Sequence, residues 1–342
     1  MTIRAYNFTF EAYNPHMLYI NSYCAYTAGG HIAPGTPLRC LEQAAAGAAY
    51  AREPDYKDLI PPMQLRRMPR PIRLSIAAVK NILAGAAGQE VSAINVGTAY
   101  GLLSDTEQFL SQIVRQEEQL LTPTAFIQST QNTIGGHIAL LLRSHAHNMT
   151  FVQRGHSFEH ALLDIELLEP SVPDQYIVGG VDELTPSSYT ITNTLLRQHK
   201  GLDSDANLSE GAAFFRLSHQ PQADSIAAIA GYHIFRANSS HAVADNIHRF
   251  LAGIPATEDR DWILGDIGTA TFSKFYKPLL NDHDVRNITH YKPYTSDYPT
   301  VAAAGLAFAT GYLTEQRQEQ VILVQNYYDH WSVFVLNSMD ML

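Results

Sequence analysis

The stretch MTFVQRGHSFEHALLDIELLEPSVPDQYIVGGVDE, from Met149 to Glu183, sets the plan of this chain. Met149 to Val152 reads as a short buried strand. Gln153-Arg154-Gly155 supplies a turn, with Gly155 free to take a φ closed to other residues. A helix follows at once. Ser157 is placed to cap it, and Phe158, Ala161, Leu162, Ile165 and Leu168 recur at the spacing that gives one apolar face. Pro170 and Pro173 end the helix. Gln175 to Val178 is a second buried strand running into Gly179-Gly180, so the unit is strand, elbow, helix, parallel strand. Such an elbow is a place where enzymes mount a nucleophile.

The whole chain has 342 residues, 46% of them hydrophobic, which suits one large α/β fold of two halves around a shared core. No apolar run reaches the roughly 18 to 20 residues that span a bilayer. The segment Met1-Thr2-Ile3-Arg4-Ala5-Tyr6-Asn7 has no apolar core of signal-peptide type, and Cys24 and Cys40 form no metal or redox spacing, so a reducing cytoplasm is expected. A net charge of −10 disfavours nucleic acid and anionic membrane as partners. The basic cluster from Arg66-Arg67 to Arg73 is too small to overturn that and reads as a solvated approach to a helix.

Other elements follow from pattern. Met17 to Asn21 is an early strand, and a helix runs to about Leu83 with Leu74, Ile76, Ala77, Val79 and Ile82 inward. Ala93 to Val96 is a strand ending in Gly97-Thr98. Ser104-Asp105-Thr106-Glu107 reads as a capping box before Phe109, Leu110, Ile113 and Val114. Residues 186–222 are polar and turn-rich, a boundary between a first half at 1–185 and a second at 223–342. In the second half Ile226 to Ile229, Tyr232 to Phe235 and Trp262 to Gly265 read as strands, with a helical stretch through His248, Phe250 and Leu251. Val321 to Val324 and Val333 to Leu336 form a final hairpin.

In this arrangement the chain resembles the β-ketoacyl synthases of the thiolase fold. That family has a strand, a small-residue turn, the nucleophilic Cys, a helix and a strand ending Gly-Gly-x-(Asp/Glu), here Gly179-Gly180-Val181-Asp182. Its Arg-Arg-Met run matches Arg66-Arg67-Met68, and its Gly-Thr matches Gly97-Thr98. Leu121 to Ile138 resembles the family's Ser-Pro loop and Asn-x-x-(Ala/Gly)-Gly-His helix, through Thr122-Pro123, Ser129, Asn132 and Gly135-Gly136-His137. Ser209-Glu210-Gly211-Ala212-Ala213 is similar to a Gly-Glu-Gly-Ala-Ala strand. The implied fold is α/β, a five-layered α/β/α/β/α arrangement of two pseudo-repeated halves.

The same resemblance shows chemistry missing. A condensing synthase holds its acyl chain on a thiolate at a helix N-terminus, where the helix dipole lowers the thiol pKa. The position of that Cys falls on Gly155, give or take one residue, and no Cys occurs after Cys40. Two His residues that stabilise the enolate are also expected. The stretch Ile267-Gly268-Thr269-Ala270-Thr271 puts Ile267 at the first, and Tyr298-Pro299 with Ala303-Ala304-Gly305 beyond puts Pro299 at the second. The usual Lys falls on Tyr294 rather than Lys292. The family's last glycine loop appears as Asn326 to Ser332, whose bulky side chains would fill the substrate space.

The resemblance therefore implies a non-catalytic subunit, similar to the chain-length factors of type II polyketide and aryl-polyene (flexirubin-like) pathways, with no cofactor or metal. Its partner would be an active ketosynthase in a heterodimer, with acyl carrier protein acting through the complex. The implied interface and tunnel residues are Leu121, Phe126, Ile127, Gln131, Asn132, Thr133, Ile134, Gly135 and Gly136. The rival reading is an enzyme with its own serine chemistry, an acyltransferase or hydrolase, since Gly155-His156-Ser157 mimics Gly-x-Ser at an elbow. His156-Ser157-Phe158-Glu159-His160 also spells an inverted zinc-protease motif, which the overlap with the elbow makes an accident. His145 and His147 read as a polar helix end.

Overall fold

The computed structural model describes residues 17–86, 90–119, 121, 123–170, 172–200, 207–255, 257, 260–267, 270–280 and 287–342. The readings made at Thr122, Gly268 and Thr269 lie outside them. The first half holds strands β1 (Leu18–Thr27), β2 (Gly30–Ile32), β3 (Ala93–Gly97), β4 (His147–Phe151), β5 (Tyr176–Asp182) and β6 (Gly211–Ser218). The second holds β7 (Ala227–Arg236), β8 (Arg260–Leu264), β9 (Ile288–His290), β10 (Gln320–Tyr327) and β11 (His330–Ser338). The helices are α1 (Pro62–Leu65), α2 (Arg70–Ile82), α3 (Leu103–Arg115), α4 (Pro123–Gln128), α5 (Thr133–Leu142), α6 (Ser157–Leu167), α7 (Pro186–Lys200), α8 (Ser240–Leu251), α9 (Ala270–Leu280), α10 (Lys292–Thr295) and α11 (Val301–Gln316).

The strands run in the order β4-β3-β5-β6-β1-β7-β11-β10-β8-β9. Read from either end this is one pattern used twice, because β1, β3, β4, β5 and β6 stand to each other as β7, β8, β9, β10 and β11 do. β3 is parallel to β4 and β5, and β8 is parallel to β9 and β10. Each set then closes with an antiparallel pair of neighbours, β5 with β6 and β10 with β11. Among the described residues the strands of the two sets pair where Leu18–Ile20 of β1 meets Ala227–Ile229 of β7.

Side-chain alternation makes the layers. Along β5, Tyr176 and Val178 face one core while Ile177 and Val181 face another; along β10, Val321 and Leu323 part from Ile322 and Val324 in the same way. Strands buried on both faces read as unbroken apolar runs because helices cover each side. The shared core holds Phe158, Ala161, Leu162 and Ile165 of α6 and most of α11 between the two sheet halves. α2 and α5 cover the outer face of the first half, and α8 and α9 that of the second. The result is the expected five-layered α/β/α/β/α fold.

Several expectations are corrected. Residues 186–222 are not a linker but hold α7 and β6, and β6 pairs with both β5 and β1 inside the first half's sheet. Ser104 is inside α3 and caps nothing with its side chain. Its N–H donates to Glu183 Oε2 at 2.9 Å, while Glu107 accepts from Thr185 Oγ1 at 2.6 Å, so the Glu183 carboxylate from beyond β5 serves the helix start in place of a capping box. The basic cluster is partly consumed at home: Arg70 Nε lies 2.7 Å from the buried Glu210, and Arg70 and Arg73 both reach Glu53.

Candidate functional site

Two glycines bring the central helices to the sheet. A Cβ on Gly97, at the end of β3, would lie 2.5 Å from the backbone of Ser157 and Phe158, and one on Gly180 would lie 3.0 Å from Thr300 and Ala303. Gly97 and Gly180 are partners in register, so the first turns of α6 and α11 dock side by side on β3 and β5. Between them sits Asp182. Its Oδ1 accepts from Thr98 Oγ1 (3.1 Å) and Ala99 N–H (2.8 Å), and its Oδ2 accepts from Thr300 N–H (3.0 Å), just before α11. Burial pushes the Asp182 carboxyl up to about 6, against the pull of these donors.

The elbow at α6 is closed. The left-handed residue is Arg154 (φ 53°), not Gly155 as the sequence suggests. Gly155 answers a packing demand instead, since a Cβ there would lie 2.9 Å from His330 Cβ and 3.0 Å from Tyr327 Cβ. Those two residues flank the turn of the β10–β11 hairpin, Tyr328-Asp329, which thus closes over Gly155. His156 Nε2 bonds the carbonyl of Trp331 at 3.1 Å, and its ring meets His330 edge-on at 4.7 Å. Burial lowers the His156 pKa to about 4, with neighbouring His330 acting in the same direction.

Ser157 is fully buried in the first turn rather than capping it. Its hydroxyl donates to the Arg154 carbonyl at 2.8 Å and accepts from Gln153 N–H at 2.9 Å, which ties the turn together and occupies both its roles. No base touches it among the described residues. The His-x-x-Glu-His pattern also disperses: His160 Nδ1 bonds the His156 carbonyl, whereas Glu159 enters the shared core. There Glu159 Oε1 accepts from Ser332 Oγ (2.7 Å) and Gln325 Nε2 (2.9 Å), and Oε2 is buried without a partner. Burial pushes this carboxyl up to about 7. His147 faces Asp164 at 2.7 Å.

Of the other two positions, Ile267 lies beside the same hairpin. Ile267, half-buried, packs with Tyr328, Tyr189 and the buried Leu184, Leu196 and Leu208. Pro299 is buried between Tyr298 and the Asp182-bound Thr300. Sequence reasoning passed over Lys292, seven residues before Pro299. Its ammonium is buried, 2.9 Å from Asp297 and donating to the Asn326 carbonyl at 2.5 Å, so a cation does reach the hairpin's root from α10. The spacing hid it, because counting five residues back from Pro299 lands on Tyr294.

The segment expected at the interface divides. Phe126 and Ile127 on α4 are 58% and 61% exposed, and Gln131 and Asn132 are exposed in the turn. Leu121, Thr133 and Gly136 are half-buried. Ile134 is fully buried in the chain's own outer core, and Gly135 packs on Asn148, where a Cβ would lie 2.7 Å from Oδ1. Ile134 and Gly135 therefore serve α5 docking within this chain. Missed by the sequence reading were Leu140, Met149 and Val152, which are exposed on and beside β4, the outermost strand of its half.

Two pseudo-repeated halves with paired central helices and a strand-to-helix elbow define a thiolase-like fold. Residues 41–229, more than half of the chain, match the family described as beta-ketoacyl synthase, N-terminal domain, and the chain belongs to that family. No curated protein matches it. Similar solved structures include the complex described as a type II PKS acyl-carrier protein with its ketosynthase bound to the hexaketide (AntDE:AntF), with 15% identity, TM-score 0.75, 95% of this chain and 100% of that one covered. The ishigamide ketosynthase/chain length factor has 16% identity and TM-score 0.72, covering 94% and 99%. The ketosynthase ApeO in complex with its chain length factor ApeC from Xenorhabdus doucetiae has 16% identity and TM-score 0.67, covering 94% and 98%. At such identities the likeness is one of fold.

Proposed function

We propose that this chain is a non-catalytic β-ketoacyl synthase subunit, a chain-length factor that pairs with an active ketosynthase and shapes its acyl tunnel. The pathway would be of polyketide, aryl-polyene or flexirubin type, with acyl carrier protein engaging the complex. The carrying observation is Gly155: the helix N-terminus that should present a thiolate has no side chain and no room for one beneath His330 and Tyr327. Ile267 and Pro299 supply no proton donor where an enolate would need one. Exposed Phe126, Ile127, Leu140, Met149 and Val152 offer apolar surface near the unpaired edge of β4, the kind of surface that marks protein contacts.

Intact-mass analysis after incubation with acyl and malonyl carrier thioesters tests the silence, and co-expression with a ketosynthase that keeps Cys and both His tests the pairing. The expected outcome is no mass increase on this chain and a stable heterodimer on sizing. An acyl adduct on this chain, or failure of every such ketosynthase to co-purify, would overturn the reading.

A further inference from the structure

Where β5 begins and β6 ends, at the end of the sheet away from the elbow, there is a cavity of about 340 Å³ whose lining includes Pro173, Asp174, Gln175, Arg216, Ala223 and Asp224. Two of these groups are buried with bonding capacity unused. Arg216 is 4% exposed; its Nε and Nη2 donate to the carbonyls of Ile82 (3.3 Å) and Asn21 (3.4 Å), and Nη2 also reaches the Asp224 carboxylate. Its Nη1 donates to nothing among the described residues. Gln175 is likewise 4% exposed, and its Nε2 is buried without a partner, a costly state for a donor that an acceptor in the cavity would relieve. The carboxylates differ in availability. Asp174 already accepts from the N–H groups of His219 (2.9 Å) and Gln220 (2.8 Å), whereas Asp224 gives Arg216 one oxygen and keeps the other open at an exposed site.

Two carboxylates against one guanidinium disfavour a simple anion, while the buried guanidinium and the unpaired amide N–H disfavour a simple cation. A molecule carrying both charges meets both demands. We propose that this cavity binds a small zwitterion, an α-amino acid with an aliphatic side chain. Its carboxylate accepts from Arg216 Nη1 and Gln175 Nε2, its ammonium donates to the open oxygen of Asp224, and its side chain rests on Pro173 and Ala223. The volume stands at the small end of ligand pockets, which limits the ligand to a single residue. No group of the elbow and no partner subunit takes part, so the site stands or falls separately from the pairing.

Titration calorimetry of the full chain with leucine, isocaproate and isoamylamine tests this, the last two being leucine without its ammonium and without its carboxylate. Leucine should saturate, and bind about ten-fold or more tightly than either analogue, as the loss of a charge-assisted contact dictates. Gln175→Met removes the unpaired donor in a side chain of similar length, so it should weaken leucine about ten-fold while the melting temperature holds or rises. Asp224→Asn should abolish the preference for leucine over isocaproate. Ala223→Trp, at an exposed position, should fill the cavity and block binding. If leucine does not saturate by about 10 mM, if either analogue binds as tightly, or if Gln175→Met and Ala223→Trp both bind as the parent does, the proposal is overturned.

Discussion

Glu159 is the residue at which this fold's stability should respond most directly to pH. It is fully buried in the layer between the two sheet halves, with one oxygen bonded to Ser332 and Gln325 and the other unsatisfied. Burial raises its folded pKa to about 7 from an ordinary 4.5, so the neutral acid is the form the core accepts. The contribution is fully present below pH 4.5 and is lost as pH rises through 7, about 3 kcal/mol in all. Asp182 and Glu183 are raised by burial as well, so the parent's profile sums several groups. Glu159→Gln isolates one. Denaturant unfolding should show the variant more stable than the parent at pH 8 by about 1 to 3 kcal/mol, with the gap closing near pH 4.5. A gap independent of pH would mean that Glu159 is not the titrating group. In sequence this Glu stood out only as part of a His-x-x-Glu-His coincidence. Nothing in the spacing of α6 says that a second sheet covers it, whereas the absence of a Cys near Gly155 and the bulk of Asn326 to Ser332 were legible directly.

At the scale of elements, strands buried on both sides declared themselves by continuous apolar runs, whereas Gly97 and Gly180 were legible only as motif positions, and the close approach of α6 and α11 to them was not. What failed was phase and partner. α11, Val-Ala-Ala-Ala-Gly-Leu-Ala-Phe-Ala-Thr-Gly, is buried almost all round and so shows no amphipathic period, leaving only a motif to read. α7 is polar enough to pass for a loop until it is seen covering Leu184 and Leu208 with Leu196. On α5 the sequence could not tell which face meets its own core. That distinction carries a prediction. Ile134→Asp places a charge in the outer core and should abolish cooperative unfolding of the isolated chain or cost several kcal/mol, about 3 or more. Phe126→Asp, on exposed α4, should change stability by no more than about 0.5 kcal/mol yet weaken the heterodimer. Melting curves and sizing of the co-expressed pair check both. A heterodimer indifferent to Phe126→Asp would remove α4 from the interface.

For the molecule as a whole, a polar frame centred on Asp182 aligns the two central helices, while on the proposed reading Gly155, Ile267 and Pro299 stand where reacting groups would be. Asp182 still joins Thr98, Ala99 and Thr300, and Lys292 still reaches the hairpin root, yet the elbow is packed shut. On the proposed reading, what the chain contributes to a partner's condensation is steric and presented outward. The turn between α4 and α5 is the candidate wall. Thr133 is unsuited to a test, because its hydroxyl donates to the Ile127 carbonyl at 2.9 Å and a replacement would loosen the turn itself. Gln131 is better: it is exposed, and its backbone rests over Gly101, where a Cβ would lie 3.0 Å from the Gln131 Cα. A tunnel stops chain growth when the next two-carbon unit would overlap a wall side chain, since overpacking a filled cavity costs about 1 to 3 kcal/mol. Gln131→Trp in the co-expressed pair should therefore shift its products to shorter chains, read by mass spectrometry, with the heterodimer intact on sizing. An unchanged product distribution from an intact complex would mean that this turn does not line the tunnel.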